Sequence, residues 1–526
     1  MLTLTSVAAA LRRGEISSTE LVQSLLDRAD ATEELGAYLS RFDERALAAA
    51  SRADADFRAG IDRGPLQGVP IGVKDNIFTE DGPTTAQSRV DDPAFRSEQD
   101  ATVVARLRAA GAVIMGKLTL SEFAIGTPDP ISPFPRPRNP WDLGCWPGGS
   151  SAGTGVAVSA GLVLAGLGSD TAGSIRIPSA LCGITGFKPT YGRVPVTGSI
   201  PLAESLDHIG PMARSARDCA AVLTVIAGAD GIDRSASSSP LADYLSGLSA
   251  PVTGVRIGVV DPSNLSSEVT DEVTDAFDVA VRELAALGMS TTAVELPYYQ
   301  STSAAGRIIL AAEAFALHRR TLSARWKDYS VSTRLRLTPG AWCTSADLLL
   351  AQRQLRLTRT RLAGVFGSVD VVVMPTLGMG APRFGANETL GRAAVGATGN
   401  TIYASATGYP ALAMPMGFTV EGLPLSIQVI GRPGQDELVL RVAAAYQDIS
   451  DWHLAVPAMR PAVAPSTTEA VLPPARASEA ATAADRAAAE VFLNRAGIDA
   501  GPDLGPLADA FAQHIEQLRL IGAGVG

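Results

Sequence analysis

The chain has 526 residues, 46% of them hydrophobic and 19% charged, with a formal net charge of -10. That balance fits a folded protein with a large core. Lysine and arginine are scattered rather than gathered in a stripe, which argues against a nucleic-acid partner. The N-terminus has no basic region followed by an apolar one, and the longest apolar run, residues 157–167, is too short to cross a bilayer. A cytoplasmic protein without membrane contact is therefore expected, and the apolar run reads as a buried helix.

In chain order, Ser18-Thr19-Glu20 opens an amphipathic helix that turns Leu21, Leu25 and Leu26 inward. Residues 69–73 read as a buried strand ending at Lys74, 102–110 as a helix and 112–115 as a strand. Residues 126–147 carry seven prolines (128, 130, 133, 135, 137, 140 and 147) and form a long irregular segment, expected to wall the active site. Further strands are predicted at 255–260, 369–374, 411–415 and 425–430, alternating with helical stretches, which points to an α/β protein with a buried sheet. A helix over 436–448 closes this unit. Residues 457–481 are rich in Pro, Ala, Ser and Thr and read as a linker. Two amphipathic helices follow, one from the N-cap Thr482 to Ala496, stopped by Gly497, and one over 504–520 with Leu507, Phe511, Ile515 and Leu518 on one face. The division is thus 1–456, 457–481 and 482–526. The hairpin is expected to dock on the main domain, on a second copy or on a partner.

Cys145, Cys182, Cys219 and Cys343 are far apart and fit no zinc spacing, so they read as reduced thiols. No two of the four histidines lie at i, i+4. Neither a metal nor a cofactor is expected.

The chemistry is concentrated in three segments. Gly68-Val69-Pro70-Ile71-Gly72-Val73-Lys74-Asp75-Asn76 holds a lysine. Gly148-Gly149-Ser150-Ser151-Ala152-Gly153 and Gly168-Ser169-Asp170-Thr171-Ala172-Gly173-Ser174-Ile175-Arg176 hold serines in backbone with little bulk. Serine is a poor nucleophile until something takes its proton. Lysine can do so if it is held neutral, and arginine cannot. Only four of the 44 basic residues are lysine: Lys74, Lys117, Lys188 and Lys327.

These motifs resemble the amidase signature family of serine hydrolases over about residues 1–455. Phe187-Lys188-Pro189-Thr190-Tyr191-Gly192-Arg193, Val371-Val372-Val373-Met374-Pro375-Thr376 and Gly408-Tyr409-Pro410 add to the likeness. The resemblance implies one large domain with a central mixed β-sheet flanked by helices, plus the short C-terminal helical extension. It implies a Ser-Ser-Lys triad in which Ser174 attacks, Ser150 relays the proton and Lys74 is the base. It also implies an oxyanion hole from the N–H groups of Thr171, Ala172, Gly173 and Ser174, and a cis peptide before Ser150. Ala172 departs from the family's commoner glycine.

For Lys74 to be half neutral near pH 7, burial must supply about 4–5 kcal/mol against a free-lysine pKa of about 10.4. Asp75 opposes this only if it faces the amine, and adjacent strand residues point to opposite faces.

A rival reading uses Gly149-Ser150-Ser151-Ala152-Gly153 as a nucleophile elbow, with Ser151 attacking and Asp370 and His453 as partners. The preceding segment is no strand, which counts against it. Arg176 with Asp170 reads as a brace for the turn rather than as a substrate contact. Trp141, Trp146, Tyr403 and Tyr409 could line a pocket or belong to the core.

The reading that follows is an amidase, a hydrolase of non-peptide C–N bonds in linear carboxamides, with carbamates (as in a urethanase) or esters as further substrate classes, acting through an acyl-enzyme on a small-molecule substrate. A homodimer is possible. Alternatives are the glutaminase A subunit of a tRNA-dependent amidotransferase and a urea-derivative hydrolase resembling allophanate hydrolase. Against the glutaminase, Thr398 stands where that subfamily's aspartate would hold the substrate's amino group. Specificity is expected from loops at 124–145, 301–345 and 377–398.

Overall fold

In the computed structural model the described residues are 3–127, 132–237, 242–265, 268–385, 387–460, 482–498 and 500–525. Eleven strands form one sheet: β1 (Tyr38–Arg41), β2 (Pro70–Lys74), β3 (Val113–Leu118), β4 (Ala165–Asp170), β5 (Thr185–Lys188), β6 (His208–Ala213), β7 (Arg256–Val259), β8 (Ser290–Ala293), β9 (Val371–Pro375), β10 (Ala411–Phe418) and β11 (Pro424–Gly431). Their order is β1-β3-β2-β4-β6-β5-β10-β11-β9-β7-β8. β2 runs parallel to β3 and β4, and β7 parallel to β8 and β9. The remaining pairs are antiparallel, so the sheet is mixed, with helices on both faces.

Alternation along β3 shows why both faces must be covered. Ile114 packs with the helices Thr102–Ala109 and Ala216–Ile226, while Val113 and Met115 pack with Ser18–Ala31 and Ala152–Ala160. All residues of β2, β3, β4 and β6 are buried, as expected of strands enclosed between two helical layers. Leu25 and Leu26 are buried as the periodicity requires, and Leu21 packs partly buried beside them.

Two sequence expectations need correction. The apolar run 157–167 is not one helix. The helix Ala152–Ala160 ends at Gly161 in the left-handed region, and β4 begins at Ala165. The segment 301–345 is not a loop. It forms the helices Tyr299–Arg325 and Val331–Leu337. No proline interrupts residues 299–338, and the small run Ser301 to Gly306 lets the first helix lie close to the helix Asn387–Thr407, at Ile402 and Ala406. The end of the expected loop 377–398 falls within that last helix.

The C-terminal helices Ala483–Arg495 and Leu504–Val525 dock on the main body. Ala489, Leu493, Leu507 and Phe511 share a core with Phe123, Phe315, Tyr329 and Trp342, and the Trp342 and Phe511 rings meet edge to face at 5.1 Å. Thr482 caps the first helix through Asp485 N–H. Of the expected linker, residues 461–481 lie outside the described residues.

Candidate active site

Parallel pairing puts the carboxyl ends of β2 and β4 side by side, with Val73 opposite Leu167. Lys74 and Ser169 therefore emerge together at one edge of the sheet. The helix Ala152–Ala160 reaches the same edge because its first turn is small. A side chain at Gly153 would collide with Thr119 and the Ala37 carbonyl. Ser150 and Ser151 precede this helix, and the Gly149–Ser150 peptide is cis. Ser174 lies in the turn between β4 and the helix Arg176–Cys182, and its carbonyl accepts from Ser151 N–H at 3.2 Å.

Lys74 is fully buried, with Nζ 2.7 Å from Ser150 Oγ and 2.8 Å from Ser169 Oγ. Burial pushes its pKa down to about 7, against the opposing pull of the Asp170 and Asp207 charges. Asn76 Nδ2 donates to the same Ser169 Oγ at 3.1 Å. With Ser169 accepting N–H groups from both Asn76 and Lys74, the lone pair of the neutral amine is left for the Ser150 hydroxyl. Asp75 does not spoil this. Its carboxylate pairs with Lys117 at 3.4 Å and accepts from Thr85.

Ser174 is part-exposed, whereas Ser150 is buried. Among the described residues Lys74 contacts Ser150, and the Ser174 hydroxyl makes no hydrogen bond. Catalytic hydrogen bonds often tighten only with substrate in place.

Of the four N–H groups expected to form an oxyanion hole, one is engaged within the protein. Gly173 N–H donates to Asp170 Oδ1 at 2.8 Å and is already committed. Among the described residues the N–H groups of Thr171, Ala172 and Ser174 donate to no protein acceptor. The Asp170 carboxylate turns Gly173 inward because it gathers the whole turn. It also accepts from Ile175 N–H at 3.3 Å, from Ser405 Oγ at 2.9 Å and from Arg176 Nε and Nη2 at 3.0 Å each. Arg176 is fully buried and reaches Gln428 as well, so it braces the turn. The arginine outweighs the burial penalty and holds the Asp170 carboxyl far below the usual carboxylate range. Gly173 has φ +130°, and a side chain there would run into Thr401, whose hydroxyl donates to the Ala172 carbonyl at 2.5 Å.

The elbow reading finds no support. Ser151 Oγ donates to the Ser169 carbonyl at 3.2 Å, and Asp370 pairs with Arg256 at 2.7 Å. Trp141, Trp146, Tyr403 and Tyr409 are core residues. The proline-rich segment, described at residues 126–127 and 132–147, borders a cavity whose lining does not include Lys74, Ser150 or Ser174. Residues 132–137 line a cavity of about 150 Å³ together with Ser121 and Ala152, and Ser121 N–H donates to the Ser150 carbonyl at 3.1 Å.

The model of the family described as Amidase matches residues 20–440. The chain belongs to the amidase family. As an amidase it acts on carbon–nitrogen bonds. It is 40% identical to a glutamyl-tRNA(Gln) amidotransferase subunit from Roseiflexus sp. (strain RS-1) over 492 residues, 87% of this chain and 98% of that one. It is 41% identical to the putative amidase AmiD of Mycobacterium tuberculosis (strain ATCC 25618 / H37Rv) over 394 residues, 74% of this chain and 81% of the other. Among solved structures, the peptide amidase in complex with the competitive inhibitor chymostatin superposes with a TM-score of 0.73 at 31% identity, covering 85% of this amidase and 97% of that chain.

Sequence reasoning missed the Ser169 and Asn76 contacts to the lysine and the capture of Gly173 by Asp170. It also missed that Lys188, like Lys74, is fully buried and pushed down to about 7, with Nζ donating to the Pro189 carbonyl at 3.0 Å and lying 3.2 Å from His208 Nε2. The signal for Ser169 was present: it is five residues before Ser174 in a strand that runs parallel to the lysine strand.

Proposed function

We propose that this amidase cleaves carboxamides through an acyl-enzyme on Ser174. Neutral Lys74 draws the proton of Ser150, Ser150 draws that of Ser174, and Ser174 Oγ forms a bond to the carbonyl carbon. The developing oxyanion takes the free N–H groups of Thr171, Ala172 and Ser174. The relay then returns a proton to the nitrogen as the C–N bond breaks and the amine leaves. Water, deprotonated along the same route, releases the acid and restores Ser174. The observation that carries this reading is the buried Lys74 amine, pushed down to about 7 and 2.7 Å from Ser150 Oγ.

The test is a panel of amides, carbamates and esters, with intact-mass spectrometry of the enzyme. An adduct of acyl mass that maps to Ser174 and is absent from Ser174→Ala is expected. Turnover without it, or an adduct elsewhere, overturns the assignment. Likeness to the amidotransferase protein over 87% of the chain favours a second reading, glutaminase within a complex. Partner-independent hydrolysis of simple aryl amides supports the stand-alone enzyme, and glutamine turnover that appears only with partner proteins supports the other.

A further inference from the structure

The backbone that enters the Ser174 turn is gripped by two consecutive residues, Asp207 and His208. Asp170 ends β4, and antiparallel pairing sets it opposite His208, the first residue of β6. His208 Nδ1 lies 3.1 Å from the Asp170 carbonyl oxygen and 2.6 Å from that of Leu206. The Asp207 carboxylate accepts from Thr171 Oγ1 and from the N–H groups of Leu202 and Ala203, the last two at 2.8 and 3.1 Å. The peptide between Asp170 and Thr171 is therefore held at its carbonyl by one residue and at the side chain that follows by its neighbour.

The contacts fix where the ring carries its proton. Both neighbours of Nδ1 are carbonyl oxygens, which only accept, so Nδ1 bears hydrogen. The neighbour of Nε2 is the Lys188 amine at 3.2 Å, which donates. A neutral ring with Nδ1–H and a bare Nε2 satisfies all three contacts at once. Lys188 is itself anchored, donating to the Pro189 carbonyl at 3.0 Å from the end of β5. Both side chains are buried, and the Tyr191 ring covers the imidazole edge to face at 5.4 Å. Burial and the neighbouring Lys188 push the His208 pKa well below its ordinary value, which keeps the ring neutral.

A trans peptide points its C=O and its N–H to opposite sides, and the Asp170–Thr171 peptide is trans. Turning the Asp170 carbonyl toward His208 therefore turns the Thr171 N–H away from it. That N–H is one of the three in the turn that donate to no protein acceptor among the described residues. A donor on the carbonyl also polarises the peptide and strengthens its N–H as a donor. We propose that His208, held by Lys188, is a positioning residue that aims the Thr171 N–H at the oxyanion, with Asp207 steadying the Thr171 side chain. This rests on the serine amidase reading and deepens it.

Two substitutions separate aiming from packing. His208→Asn keeps a side-chain N–H near the place of Nδ1, and His208→Leu fills the space without a donor. With the aryl amide that the panel shows to be turned over fastest, His208→Leu should lower kcat by about tenfold or more with KM within about threefold of wild type. His208→Asn should keep at least about a third of wild-type kcat. Lys188→Met and Thr171→Val should each lower kcat at unchanged KM. The double variant His208→Leu/Thr171→Val should lose less than the product of the two single losses, because both disturb one N–H. A His208→Leu kcat within about threefold of wild type, a loss carried by KM, or equal losses for His208→Asn and His208→Leu overturns the proposal. Cooperative urea unfolding confirms that each variant is folded. Should His208→Leu not fold, Lys188→Met and Thr171→Val decide the matter, and unchanged kcat in both overturns it.

A nuclear magnetic resonance spectrum of the wild-type protein labelled with nitrogen-15 at histidine provides a readout that needs no turnover. The chain has only four histidines, and the signal missing from His208→Asn assigns His208. Near neutral pH its Nδ1 should be protonated and its Nε2 bare. A protonated Nε2, or an average of the two forms, overturns the proposal. A missing Ser174 adduct in the panel refutes the serine chemistry, while the tautomer still decides whether His208 clamps the Asp170 carbonyl.

Discussion

Replacing Lys74 with methionine should abolish activity and yet stabilise the protein near neutral pH. Methionine is close in length and apolar, and it fits a site with no exposed surface. The folded pKa of about 7 lies well below the free-lysine value of about 10.4. Between those values the unfolded chain holds a proton that the folded chain does not, so wild-type stability rises with pH across that window. Below about pH 7 both states are protonated and the penalty is constant at about 4–5 kcal/mol, and above about pH 10.5 it is gone. Against this stand the contacts to Ser150 and Ser169, at 2.7 and 2.8 Å, worth about 1 kcal/mol each. Lys74→Met should therefore gain about 2–3 kcal/mol at pH 6.5 and lose that gain by pH 9.5, a change of about 3 kcal/mol. Urea unfolding of both proteins at pH 6.5, 7.5, 8.5 and 9.5 measures it, and taking the difference at each pH cancels the other titrating groups. A difference that stays flat across the series, or one that grows with pH, refutes a lysine held neutral by burial.

Ser174→Ala should reduce aryl-amide turnover by more than about a hundredfold with an unchanged circular dichroism spectrum, and activity above that level removes Ser174 as the attacking group. Lys74→Arg should be nearly as damaging although it keeps the charge. The kcat/KM of the wild-type enzyme should rise with pH through about 7, as Lys74 loses its proton. A profile independent of pH from about 5.5 to 8.5 would contradict that assignment. Asp170→Asn leaves the buried Arg176 without its carboxylate and should cost about 3–5 kcal/mol in urea unfolding, and a loss below about 1 kcal/mol would show that the pair is not the brace of the turn.

Local pattern in the sequence carried the strands 69–73, 369–374 and 425–430 and the C-terminal helices, because each presents a buried run or a 3.6-residue stripe with a recognisable cap. It failed for 301–345, where the helix faces other helices on more than one side and the stripe is blurred by buried serines, threonines and alanines. It also missed strands such as β4 and β5, whose glycines and short length give no β pattern.

At the candidate site, Lys74, Ser150 and Ser174 were legible because each lies in a short motif of small residues that resembles a known family, and only the Lys74 motif follows a strand that can be read without neighbours. The demand for a neutral lysine also follows from the sequence, since serine needs a base and the chain keeps few lysines. What surrounds those groups was decided by the fold. Ser169 reaches Lys74 across 95 positions, and Arg176 reaches Ser405 across 229. His208 comes to the Asp170 carbonyl across 38. The pKa of a buried amine and the availability of an N–H group depend on which atoms fill the space around them, and that is a property of packing between distant segments rather than of any one stretch of chain.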